Sequence, residues 1–157
     1  MSTATASTSA TARHEHDVKT LDQRFVDEVI NARGLGAALN ELVAEDFVEE
    51  NPLPGQGPGR AGLADVLRGM FAGFPDLYWE VDELVAEGDR IVSYGAWTGT
   101  HLGEFFGIPA TGRTVRVEAW TKDRYQDGQL VQSRIIMDVV GMLTQLGAIP
   151  APAPAAG

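Results

Sequence analysis

Four stretches in the second half of the chain alternate in polarity over lengths that a sheet can use and a helix cannot. They run from about Leu77 to Ala86, Arg90 to His101, Arg113 to Tyr125 and Leu130 to Asp138. In the first, Leu77, Trp79, Val81 and Val85 alternate with Tyr78, Glu80 and Asp82, the pattern of a strand with one face buried. Glu87-Gly88-Asp89 and Gln126-Asp127-Gly128 are hairpin turns by composition. Parallel strands need crossovers of a dozen residues or more, so these short turns demand a mixed or antiparallel sheet with its helices segregated to one side.

The helices are expected ahead of the strands. Val18, Leu21, Phe25, Val29 and Ile30 recur at helical spacing and stop at Arg33-Gly34, and a shorter helix follows at about Leu35 to Val43. Ala44 to Pro52 is short and extended, Leu53 to Gly59 is loop, and Leu63, Val66, Leu67, Met70 and Phe71 mark a third helix ending near Gly73-Phe74-Pro75. Val139 to Leu146 closes the chain as a helix. The fold class is α+β: a curved sheet, covered by N-terminal helices, that curls into a cone. Such a cone is either filled or left as a pocket.

Met1 to Asp17 is rich in Ser, Thr and Ala, carries His14 and His16, and lacks the apolar core of a signal peptide. It reads as a disordered arm (residues 1–17), with one domain over 18–149 and a disordered Pro/Ala tail over 150–157. No apolar run approaches the roughly 20 residues that span a bilayer. The expectation is a cytoplasmic, soluble protein.

A net charge of −10 and a pI near 4.6 argue against nucleic acid and anionic membranes as partners. Without cysteine there is no catalytic thiol and no thiolate metal site. His101 is the only histidine of the expected domain, too isolated among scattered acids for zinc or iron, so neither a metal nor a cofactor is expected. No phosphate-cradling glycine pattern occurs, and no Ser-His-Asp arrangement is specific enough to name.

The last strand draws attention because it ends in a carboxylate. Alternation places Gln132, Arg134, Ile136 and Asp138 on one face and Val131, Ser133, Ile135 and Met137 on the other. Asp138 either caps the final helix or faces a pocket as an acid/base, and the two are compatible. Arg134 lies about 13 Å from it along the strand, close enough to pair with it or to bind a ligand oxygen. On the third strand Glu118, Trp120, Lys122 and Arg124 share a face opposite Val115, Val117 and Ala119, and Trp120 suggests a pocket wall. His101 reads as a proton carrier or as a residue that fixes the loop after it. The face carrying Val115, Val117, Val131, Ile135 and Met137 is expected to bury itself against a second copy.

Glu50-Asn51-Pro52, the run Gly99-Thr100-His101-Leu102-Gly103-Glu104-Phe105-Phe106-Gly107-Ile108-Pro109-Ala110-Thr111-Gly112-Arg113, and Met137-Asp138 through Gln145-Leu146-Gly147 together resemble the SnoaL-like polyketide cyclase (ester cyclase) family of the nuclear transport factor 2-like superfamily. The similarity runs from about Leu21 to Ala148. It implies a cone-shaped α+β barrel, a homodimer, and cofactor-independent intramolecular aldol closure of a polyketide ester. By the same resemblance Asp138 is the acid/base and Asn51 lies at the pocket; His101, Trp120, Arg134 and Glu118 are candidate substrate contacts by their own positions in the chain. Glu50 stands where many members have His, and Ser133-Arg134 where many have His-Trp. The expected function is ring closure of a polyketide-type small molecule in secondary metabolism. The alternatives are hydroxylase or epoxide-opening chemistry in the same pocket, or a dimeric small-molecule binder without catalysis.

Overall fold

The computed structural model describes residues 3–151 and 153. Helix α1 (Thr3–Arg24) runs directly into a π-helical segment (Phe25–Asn31), followed by α2 (Ala37–Leu42), strand β1 (Val43–Glu49), α3 (Gly59–Gly73), the long strands β2 (Tyr78–Glu87), β3 (Arg90–Thr100), β4 (Thr114–Gln126) and β5 (Gln129–Met137), and α4 (Val139–Leu146). The strands form one five-stranded sheet in the order β1-β5-β4-β3-β2. β2, β3, β4 and β5 pair antiparallel, and β1 joins the far edge parallel to β5. The sheet is therefore mixed, and the class is the expected α+β. No helix among the described residues is long and apolar enough to cross a membrane.

Two features differ from the sequence expectation. The segment read as an arm is helical from Thr3, because a helix nucleated by the amphipathic Val18 turn extends at little further cost through alanine-rich sequence. Glu15 Oε1 even accepts the Gly88 amide at the β2–β3 turn, 3.3 Å away. The extended segment before Pro52 is a true strand whose partner, β5, lies more than eighty residues on. Of the tail, Pro152 and residues 154–157 lie outside the described residues.

The π segment ends where Arg33 adopts a left-handed φ of 61°. Its guanidinium donates to the carbonyls of Ile30, Asn31, Pro75 and Leu77 and lies 4.4 Å over the Phe71 ring. Asn31 pairs both ways with the backbone of Trp79 (3.0 and 2.8 Å), occupying the outer edge of β2 as a further strand would. These contacts pin the helical layer to the sheet.

The alternation of β4 sorts the two faces of the sheet. Val115, Val117, Ala119, Asp123 and Tyr125 point into the molecule, while Arg116, Glu118, Trp120 and Arg124 point out. Val115 and Val117 are each 1% exposed, sealed by the chain itself: the Gln145 side chain of α4 exchanges hydrogen bonds with the Arg116 backbone at 2.8 and 2.9 Å. Val131 is the extra residue of a bulge opposite the Arg124–Tyr125 step, so Leu130 and Ser133 both turn inward. The apolar face expected to meet a second copy is thus spent on the protein's own core.

Candidate functional site

Between the inner face of the sheet and the helices lies a hollow with about 100 Å³ of room for the centres of water-sized molecules. One water needs roughly 10–15 Å³ on that measure, so the cone is not filled. Its walls are apolar: Phe25, Val26 and Ile30 from the π segment, Leu67 and Met70 from α3, and Trp79, Ile135 and Met137 from the strands. Polar groups enter as Asp22 from α1, Glu49 from β1, Ser93 from β3, Thr121 and Asp123 from β4, Ser133 from β5 and Gln56 from the loop. Among the described residues, no lysine, arginine or histidine lines it.

Asp22 and Asp123 are the two buried acids among these. Asp123 Oδ2 accepts the Thr121 hydroxyl at 2.8 Å, and Thr121 in turn meets Ser93 Oγ at 2.6 Å. Oδ1 is buried without a hydrogen-bond partner. Burial, then the neighbouring charge of Asp22, push the carboxyl up to about 7, against the opposing pull of the Ser133 and Thr121 hydroxyls. Asp22 accepts the Tyr125 hydroxyl at 3.0 Å. Its own burial raises it to about 6, offset in part by that bond. Glu49 is raised as well, chiefly by burial, although Oε1 accepts the Asn51 amide at 2.9 Å and the Ile135 amide at 3.3 Å. Acids this costly to bury near water-excluding walls mark a site rather than a core.

The architecture has clear relatives. TsrD from Streptomyces laurentii is 28% identical with a TM-score of 0.77, over 85% of this chain and 97% of that one. IdmH from Streptomyces antibioticus, named as a candidate polyketide cyclase, is 32% identical with a TM-score of 0.73, over 83% and 98%. AclR from Streptomyces galilaeus, named as a candidate hydroxylase, is 26% identical with a TM-score of 0.76, over 88% and 86%. No curated protein is a significant match to the sequence. The family model for SnoaL-like polyketide cyclases matches residues 20–146. The chain belongs to the SnoaL-like polyketide cyclase family.

Residues that the family resemblance singles out are placed away from the hollow of this SnoaL-like chain. Asp138 is exposed and caps α4, Oδ1 accepting the Gly141 amide at 2.8 Å; a side chain on Gly141 would collide with that carboxylate. Asn51 ties β1 to β5, its Nδ2 donating to the Ile135 carbonyl at 2.7 Å. His101 is fully buried, stacked on Phe74 with ring centroids 5.1 Å apart. Its Nδ1 accepts the Thr111 amide at 3.2 Å, so it fixes the loop between β3 and β4.

Trp120, Glu118 and Arg134 all lie on the outer face. Trp120 is 53% exposed and meets Tyr94 with centroids 4.5 Å apart. Glu118 approaches Arg116 at 3.9 Å, and Arg134 pairs with Glu50 at 3.0 Å rather than with Asp138. Lys122 pairs with the same Glu50 oxygen at 3.0 Å, and Gln132 donates to the other oxygen. The pocket wall is therefore the opposite face of β4 from the one Trp120 suggested.

Asp123 and Asp22 escaped sequence reasoning, though each carried a signal. Asp123 shares parity with Val115, Val117 and Ala119, which places it on the apolar face of β4; only its neighbours Lys122 and Arg124 made it resemble part of a solvated charge run. Asp22 lies one helical turn after Val18 and before Val26, within the buried stripe.

Proposed function

We propose that this SnoaL-like chain closes a ring in an uncharged polyketide-type molecule by cofactor-independent proton transfer, with Asp123 as the acid/base. The observation that carries this reading is a buried carboxyl, one oxygen unpartnered, lining an apolar hollow. A carboxyl near 7 suits both halves of an aldol closure. As carboxylate it removes the proton from a carbon beside a carbonyl; the enolate attacks a second carbonyl, forming the C–C bond; the protonated carboxyl then returns the proton to the new alkoxide. The serine and threonine hydroxyls around Asp123 are positioned to steady developing charge. An anionic substrate would meet three acids and no base, so an ester or other neutral form is favoured.

Turnover of a methyl-ester polyketide decides between Asp123 and the cap. Asp123→Asn is expected to lose roughly 10²–10⁴-fold in turnover, and Asp138→Asn, which keeps the cap, to lose little. The reverse outcome would return the role to Asp138.

Self-association is proposed through the outer face rather than the inner. Tyr94, Trp120 and Ile136 are cross-strand neighbours on β3, β4 and β5, a row on the outer face in which Trp120 and Ile136 are exposed and Tyr94 half-buried. Trp120→Glu is expected to convert a dimer to a monomer in light scattering.

A further inference from the structure

We propose that Asp22 and Asp123 share one proton and work as a single two-carboxyl unit, whose reactive form has that proton on Asp22 while Asp123 takes one from the substrate. This rests on the reading above that the hollow performs proton transfer. It adds a second carboxyl, from a helix, to the site.

The geometry leads there through an unmet acceptor. Asp123 Oδ1 is buried and finds no donor among the described residues, an arrangement that is costly for any polar group and more so for a charged one. Asp22 and Asp123 line the same hollow, where each carboxyl feels the other, and a proton shared between them would offer Oδ1 a donor. Tyr125 fixes the arrangement: its hydroxyl donates to Asp22 Oδ1, which reserves the other Asp22 oxygen for a different partner. Asp22, Asp123 and Tyr125 are all buried among apolar neighbours, and no cation lines the hollow, so two ionised carboxylates there would lack any counter-charge.

The groups facing the pair are few. Asp22 comes from α1, Asp123, Thr121 and Tyr125 from β4, Ser133 from β5, Ser93 from β3, and Glu49 from β1 adds a third acid. Glu49 is already tied to the Asn51 and Ile135 amides, which leaves the Asp22–Asp123 pair as the place where a proton can move.

The proton count closes over the reaction. The resting pair carries one proton, and its reactive form has that proton on Asp22. Asp123 takes a second from the C–H, so both carboxyls are neutral while the enolate exists. The alkoxide then takes the proton from Asp123, and the pair returns to one. At no stage do two carboxylates face each other across the apolar site.

A carbon-13 titration of the aspartate carboxyls in the full, substrate-free protein tests this directly. Two carboxyls should titrate above the usual aspartate range of about 3.9, each curve showing two linked steps. In Asp22→Asn the Asp123 curve should collapse to one step with a lower midpoint, since the neighbouring charge is gone. Should that variant fail to fold, Tyr125→Phe serves instead: losing the bond that favours ionised Asp22 should raise the Asp22 midpoint and shift the Asp123 curve with it. Independent single-step curves, or an Asp123 midpoint that ignores the variant that folds, overturn the sharing. Turnover adds a separate readout: Asp22→Asn should lose roughly 10²-fold and one limb of the pH–rate profile. Linked titration without turnover on any ester would remove the cyclase reading and leave the shared proton standing, whereas unlinked curves beside an essential Asp123 would do the opposite.

Discussion

Glu49 and Glu50 are adjacent in sequence and differ in nearly every physical respect. Glu49 points into the hollow, where burial raises its carboxyl and the Asn51 and Ile135 amides, with no cation, answer it. Glu50 points to the outer face, where Lys122 and Arg134 hold its carboxyl down to about 2. The same contrast runs across the whole sheet: Asp123 inside is pushed up, Asp89 outside is pulled down by Arg124 at 2.8 Å. Cations have been confined to one face. The lesson is that acidity here is assigned by sheet parity, since a one-residue step decides whether a carboxyl meets arginine or hydrocarbon.

The comparison breaks first on activity. Asp123→Asn is expected to lose roughly 10²–10⁴-fold in turnover while Glu50→Gln changes it by less than about 3-fold, both measured on the same neutral ester. Comparable losses from both faces would mean the outer network also touches substrate.

Stability should split next, and with opposite signs. Asp22 and Asp123 have folded values above those of the unfolded chain, so their contribution is fully present below about 4 and is lost as pH rises through about 6 to 7. Thermal melting should therefore weaken from pH 5 to pH 8, and Asp123→Asn should remove much of that slope, an effect of about 2–4 kcal/mol. Glu50 runs the other way: its contribution is present above about 4.5 and is lost as pH falls toward 2. Glu50→Gln should lower the melting temperature slightly near pH 7, less in high salt, because the exposed cluster is screened. A melting temperature indifferent to salt in this pair of proteins would contradict the exposed setting of the network.

What could be read from sequence followed local periodicity. The helical stripe through Val18, Phe25 and Val29, the alternation of β2 to β5, and turns at Gly88 and at Asp127-Gly128 all appear where expected, the last three residues with left-handed φ. The pairing of β1 with β5 was not legible, because seven residues carry no mark of a partner so distant in sequence. The site was legible only in part. Alternation separated Asp138 from Ser133, Ile135 and Met137, yet an apolar strand face and a face bearing an acid and a base both look like candidates for a pocket wall until the helices are placed. Asp123 needed the parity of β4 to be followed through a charged triplet, where residue type misleads.

The parallel edge formed by β1 and β5 has a consequence for how the protein comes into being. The first strand of the chain finds its neighbour only when the last one exists, and the Tyr125 hydroxyl meets Asp22 across a separation of 103 residues. A chain emerging from the ribosome therefore holds α1 to β4 without a closed cone, its apolar walls open. Loop-closure entropy is spent before these contacts form, which makes for slow folding and a long exposure of sticky surface. Closure of the hollow, which β1 and β5 both line, belongs to the same late step, so weakening the β1–β5 seam should delay the arrival of an active protein more than it lowers the amount of helix formed early.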